Sequence, residues 1–149
     1  MLKKHLIILF FILFSTYIQV AHTMTITRNN HAELGEPVGP YTHSVTFNNQ
    51  IYTSGLTAFG TEAIDKNISF QTKEIFRQLG ILLKNENSGL DRLIKVTLFV
   101  SDIKELGMVR ETLFEIYNGK IPASSAVEVS TLFDPRVKIE IEAIAAVNQ

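Results

Sequence analysis

From residue 24 onward the spacing of apolar and polar positions separates strands from helices. Residues 24–29 alternate and predict a short strand. A loop follows, punctuated by Gly35, Pro37, Gly39 and Pro40. Residues 44–48 and 50–54 flank an Asn48-Asn49 turn and read as a hairpin. Gly55 ends its second arm, where a missing side chain permits close backbone approach. Ile75, Phe76, Leu79, Leu82 and Leu83 share one stripe of a helix over residues 69–85, closed by Asn87, Ser88 and Gly89. The β-branched run 93–101 predicts a strand. Asp102 reads as the N-cap of a second helix carrying Leu106, Val109, Leu113, Phe114 and Tyr117, which Gly119 stops. Both apolar stripes are expected to face the core. Residues 125–130 and 137–145 complete the strands, the latter alternating Ile139 and Ile141 with Glu140 and Glu142. This order implies an α+β domain, a mixed sheet with two helices packed on one face. The other face must be covered or polar.

Residues 1–23 follow a different rule. A basic start with Lys3 and Lys4 leads into an apolar run over residues 6–14, then into small residues up to Thr23. That is the pattern of a secretory signal peptide, and it predicts export to a periplasm or the cell exterior. Two alternatives stay open. With its flank the apolar run is just long enough for the roughly 30 Å of a bilayer, as an uncleaved membrane anchor. Or Met24 is the true start and the domain is cytoplasmic. In each case residues 24–149 form the folded domain.

Charge and composition narrow the chemistry. The chain of 149 residues has 14 Lys+Arg against 15 Asp+Glu, and only Lys3 and Lys4 carry charge in the leader. The domain alone is therefore acidic, with a net charge of about −3, a poor match for a phosphate backbone. No nucleic-acid partner is expected. With no cysteine, disulfides, thiolate-held metals and thiol nucleophiles are excluded. No metal-ligand spacing and no phosphate-cradling glycine loop is present, so no metal or cofactor is expected. Asn67-Ile-Ser69 matches a glycosylation sequon, which has meaning only on a eukaryotic secretory route.

Five segments in order carry a family resemblance. They are Gly39-Pro-Tyr41, Tyr52-Thr-Ser-Gly55, the strand from Ile94 to Asp102, Pro122-Ala-Ser-Ser-Ala-Val-Glu-Val129, and Lys138-Ile-Glu-Ile-Glu-Ala-Ile-Ala145. Together they resemble the RidA/YjgF family over about residues 24–147. The resemblance implies a chorismate-mutase-like α+β fold and a homotrimer with small-molecule sites between subunits. It also implies hydrolysis of reactive enamines and imines, such as 2-iminobutanoate and 2-iminopropanoate, to 2-oxo acids and ammonia. By the same resemblance, Glu140 holds or activates water and Tyr41 stands near it. Ser54 and Gly55 face the ligand with side chain and backbone N–H. Phe99 lines the site, Ser124 takes the substrate-holding position, and Ala126 offers a backbone N–H.

Two positions depart from the pattern. The family motif Pro-Ala-Arg-Ser reads Pro-Ala-Ser-Ser here, so Ser124 replaces an arginine suited to gripping a carboxylate. Arg136, in the turn before the last strand, is a candidate substitute. His43 stands where the family usually has glutamine, and reads as a surface residue rather than a catalytic one. Taken alone, the same residues have ordinary readings: Tyr41 as packing, Glu140 as the solvent face of a strand, Ser54-Gly55 as a strand end. Two functions remain in view. One is an enamine/imine deaminase weakened at Ser124, and the other is a non-catalytic ligand- or protein-binding trimer of the same fold. A third, RNA cleavage or translation inhibition, conflicts with the acidic charge.

Overall fold

The computed structural model describes residues 25–148. The expected signal segment 1–23 and Met24 thus lie outside the described residues. Among the described residues no helix is long and apolar enough to cross a membrane.

Strand β1 (Thr27–Asn29) is shorter than its alternating pattern. It pairs with β2 (Ser44–Phe47), which turns into β3 (Gln50–Thr53). Asn48 and Asn49 both take positive φ in that turn, 51° and 60°. Asparagine tolerates this region better than other side-chain-bearing residues, so the two form a type I′-like reversal. Helix α1 (Ile68–Asn85) follows, capped by Asn67, whose side chain accepts from the Phe70 N–H at 3.2 Å. Such a cap contributes about 1 kcal/mol. Then come β4 (Leu93–Val100), α2 (Leu106–Tyr117), β5 (Ala123–Glu128) and β6 (Ile139–Ala146).

The six strands form one sheet in the order β1-β2-β3-β6-β4-β5, antiparallel except for the parallel β4–β5 edge pair. The mixed sheet with two helices is the expected α+β architecture. Alternation decides which side is dry. Val96, Leu98 and Val100 of β4 and Ile139, Ile141, Ala143 and Ala145 of β6 are buried. They pack with Ile75, Leu79 and Leu82 of α1 and Val109 and Leu113 of α2 in one core. The intervening Thr97, Phe99, Glu140 and Glu142 face the helix-free side, where Tyr52 is also exposed.

Two polar fixtures tie loops to this frame. Gln71 of α1, fully buried, donates to the Ile64 and Arg136 carbonyls at 2.7 and 2.8 Å. Its Oε1 accepts from the Lys138 N–H at 2.8 Å, so it fixes the entry to β6. Glu86, just past α1, accepts from Asn29, Ser44 and Thr46 at 2.7, 2.8 and 3.0 Å, with His31 Nε2 at 3.2 Å. It anchors the first hairpin beneath the loop that carries Tyr41. Buried polar groups of this kind persist because their hydrogen bonds are made internally.

Three expectations need correction. The fifth strand runs from Ala123, not residue 125, because parallel pairing with Lys95 to Val100 fixes its register. Asp102 caps a single 3-10 turn (Ile103–Glu105) by accepting from the Lys104 N–H at 2.9 Å, and α2 begins only at Leu106. Phe114, assigned to the core, is 67% exposed, since it lies at the edge of the stripe centred on Val109 and Leu113.

Candidate active site

Beyond β3 the chain stays close to β6. Leu56 exchanges both backbone hydrogen bonds with Ile141, at 2.9 and 3.0 Å. That bridge brings Gly55 beneath the neighbouring Glu140 side chain. A Cβ on Gly55 would overlap the Glu140 carboxylate, so no larger residue fits without displacing that side chain. The glycine is thus explained by close approach, not by an unusual φ.

Ser54 joins this strand end to the preceding loop. Its hydroxyl donates to the Thr42 carbonyl at 2.6 Å, and its N–H donates to the His43 carbonyl at 3.0 Å. Both donors are therefore spent on positioning Tyr41 and His43. The expected ligand-facing donors of Ser54 are reduced to a hydroxyl oxygen that can still accept. Tyr41 is 45% exposed, its ring against Gly39 and its N–H donating to the Gly39 carbonyl at 2.8 Å.

Tyr41, Ser54, Gly55 and Glu140 line one cavity of about 610 Å³ together with His43. Its remaining wall includes Phe59 and Phe133, packed edge to face at 5.1 Å between ring centres. These two aromatics come from separate loops and carry no periodic signal, so pattern analysis could not single them out. His43 is buried, contrary to expectation, because the anchored hairpin draws its loop inward. Its Nδ1 accepts from the His31 N–H at 3.0 Å. In the neutral ring the proton therefore sits on Nε2. Burial first, then the nearby His31, lowers the His43 pKa and favours that neutral form, with Glu36 opposing.

Glu140 is half-buried, and its pKa is raised, chiefly by desolvation and secondarily by Glu142. A carboxylate held in this way is a stronger proton acceptor than a free one. Phe99 is its direct cross-strand partner on the helix-free face, beside the cavity rather than in its lining.

Ser124 and Ala126 lie elsewhere in the chain. Both sit on edge strand β5, in register with Val96 and Leu98, and so point to the helix side of the sheet. There they line a separate groove of about 310 Å³ against α2. Tyr117 also borders this groove, but its ring packs on Phe76 and its hydroxyl is buried with no hydrogen-bond partner; burial pushes its pKa up to about 12. An unsatisfied buried hydroxyl costs about 1–3 kcal/mol. Arg136 is no substitute for the missing arginine. It forks onto Asp134, Nε to Oδ1 at 3.0 Å and Nη2 to Oδ2 at 2.8 Å, and holds that carboxyl down at about 2. Among the described residues no acidic or histidine cluster suits a metal ion.

The fold is that of a small α+β protein with a half-buried carboxylate over a strand-end glycine. Its relatives give the family. The model of the Endoribonuclease L-PSP family matches residues 31–147, and the chain belongs to that family. A RutC family protein of Buchnera aphidicola is 34% identical over 117 residues, 76% of this chain and 91% of the relative. A mouse protein named 2-iminobutanoate/2-iminopropanoate deaminase is 30% identical over 112 residues, 72% and 82% of the two chains. The crystal structure of Rv2704 from Mycobacterium tuberculosis, described as a member of the YjgF/YER057c/UK114 family, superposes with a TM-score of 0.72. It is 27% identical and covers 83% of this chain and all of its own. A yeast structure, YEO7, gives a TM-score of 0.78 at 28% identity over the same shares.

Proposed function

We propose that the protein hydrolyses imines and enamines to carbonyl compounds and ammonia, with Glu140 as the general base. The observation that carries this reading is the raised-pKa carboxylate lying over Gly55 beside Tyr41 in one cavity. Glu140 takes a proton from water as its oxygen bonds to the carbon of the protonated imine, and the C=N π pair becomes the lone pair of the resulting amine. The proton then passes from Glu140 to that amine, C–N cleaves as the carbinol hydroxyl returns its proton to Glu140, ammonia leaves and C=O remains. An enamine enters the same path after protonation at carbon. The deaminase name of the mouse relative supports this substrate class.

The Ser124 half of the site joins the Glu140 half when the β5 edge of one subunit lies against another, in a homotrimer. All six residues of β5 are exposed in the single chain, and Phe114 and Ile121 beside it are 67% and 61% exposed. An unpaired edge flanked by apolar side chains favours such a contact. Sedimentation equilibrium should give about three chain masses, and a monomer would sink the shared-site reading. Residues 1–23 would direct this domain out of the cytoplasm.

The enzyme assay couples an amino-acid oxidase, which makes 2-imino acids in situ, to loss of the imine. Turnover above the uncatalysed rate supports the proposal; its absence in both the natural protein and Ser124→Arg favours the non-catalytic binding reading. One observation supports that second reading, the neutral Ser124 where the family motif carries a cation.

A further inference from the structure

A guanidinium stands in the groove where the strand motif lacks one, but it comes from the helix. Leu106, Arg110, Leu113 and Tyr117 recur at helical spacing and turn one face of α2 toward β5. Arg110 therefore occupies a position on the apolar stripe, lining the same groove as Ser124 and Ala126.

We infer that Arg110 is the anion-binding residue of this groove, and that its ligand is a small carboxylate with a short apolar side chain, of the 2-oxo or 2-imino acid kind. The inference rests on the reading of Ser124 and Ala126 as the substrate-holding half of the site. Three observations carry it. Among the described residues Arg110 has no ion-pair partner; Arg28 and Arg92 share that freedom, but neither lines this groove. A free guanidinium offers a planar fork that matches a carboxylate. Leu98 and Leu113 give the floor an apolar surface for a short side chain. The volume, about 310 Å³, is at the small end of the roughly 300–1,000 Å³ of ligand pockets. Charge, an apolar floor and size thus select a compact monocarboxylate over a bulky or cationic ligand.

Calorimetric titration with 2-oxobutanoate and with its methyl ester tests this on the natural protein, Arg110→Gln and Arg110→Lys. The natural protein should bind the acid, and Arg110→Gln should bind it at least about tenfold more weakly. Arg110→Lys should fall between, and the ester should not distinguish the three. Arg110 is exposed, so the substitutions leave the core untouched. Equal acid binding by Arg110→Gln overturns the inference, as does a natural protein that binds acid no better than ester. A change in solution mass with acid binding unaltered also overturns it, and assigns Arg110 to contact with a second copy. Imine turnover by the same proteins separates this from the hydrolase reading. Arg110-dependent acid binding without turnover leaves the anion site standing and sinks the hydrolase. Turnover with KM indifferent to Arg110→Gln does the reverse.

Discussion

Glu140→Gln should lower imine turnover by roughly 10²–10⁴-fold and yet make the folded protein more stable near neutral pH. The two effects share one cause. Desolvation, with Glu142 nearby, raises the Glu140 pKa above its ordinary 4.5. The folded state then binds the proton more tightly than the unfolded state. Stability from this group is full where both states are protonated, below about pH 4, and declines as pH rises through the folded pKa. At pH 8 the ionised carboxylate is a net cost, which glutamine removes while keeping the shape that lies over Gly55. Thermal melts of both proteins at pH 4 and pH 8 check the sign. The variant should gain at pH 8, and its advantage should shrink at pH 4. A lower melting temperature at both pH values with activity retained would make Glu140 a structural residue and remove it from the chemistry.

The alternation of Ile139 and Ile141 with Glu140 and Glu142 was legible because a strand buried on one face needs that period. It gave the correct dry face and left Glu140 on the wet one, but alternation alone cannot distinguish a solvated glutamate from one tucked over a glycine. Only the bridge between Leu56 and Ile141 creates that approach, and a bridge between distant segments leaves no local pattern. The same reason hid the burial of His43, which depends on Glu86 drawing in the first hairpin across some forty positions of sequence. Phe114 failed for a different reason. Helical periodicity assigns a residue to a stripe but does not say where the stripe's edge lies when the neighbouring strand is the last in the sheet. Arg110 did leave a signal. A charged residue three and four positions from apolar members of the same stripe either snorkels to water or serves a site, and the groove favours the second.

Moving the guanidinium back to the strand should rescue what its removal from the helix destroys. Arg110→Gln leaves the groove without a cation, and Ser124→Arg in that background places one on β5, in the same lining. Hydrogen bonds to a charged group contribute about 1.5–3 kcal/mol each, so a two-pronged grip accounts for about 3–6 kcal/mol, or roughly two to four decades of carboxylate affinity. The double variant should therefore recover 2-oxobutanoate binding to within about tenfold of the natural protein, with KM for imino acids following and kcat little changed. Ser124 lies exposed on an edge strand, where the longer side chain has room, so folding should be indifferent to the change. With Arg110 intact, Ser124→Arg should add less than it restores in its absence. A second guanidinium meets a carboxylate already engaged, and like charges in one small groove oppose each other. This non-additivity is the decisive quantity, because two independent surface sites would simply add. Full additivity, or a double variant as weak as Arg110→Gln alone, would mean that helix and strand do not grip the same carboxylate. Recovery would mean that one carboxylate can be gripped from either the helix or the strand of this groove.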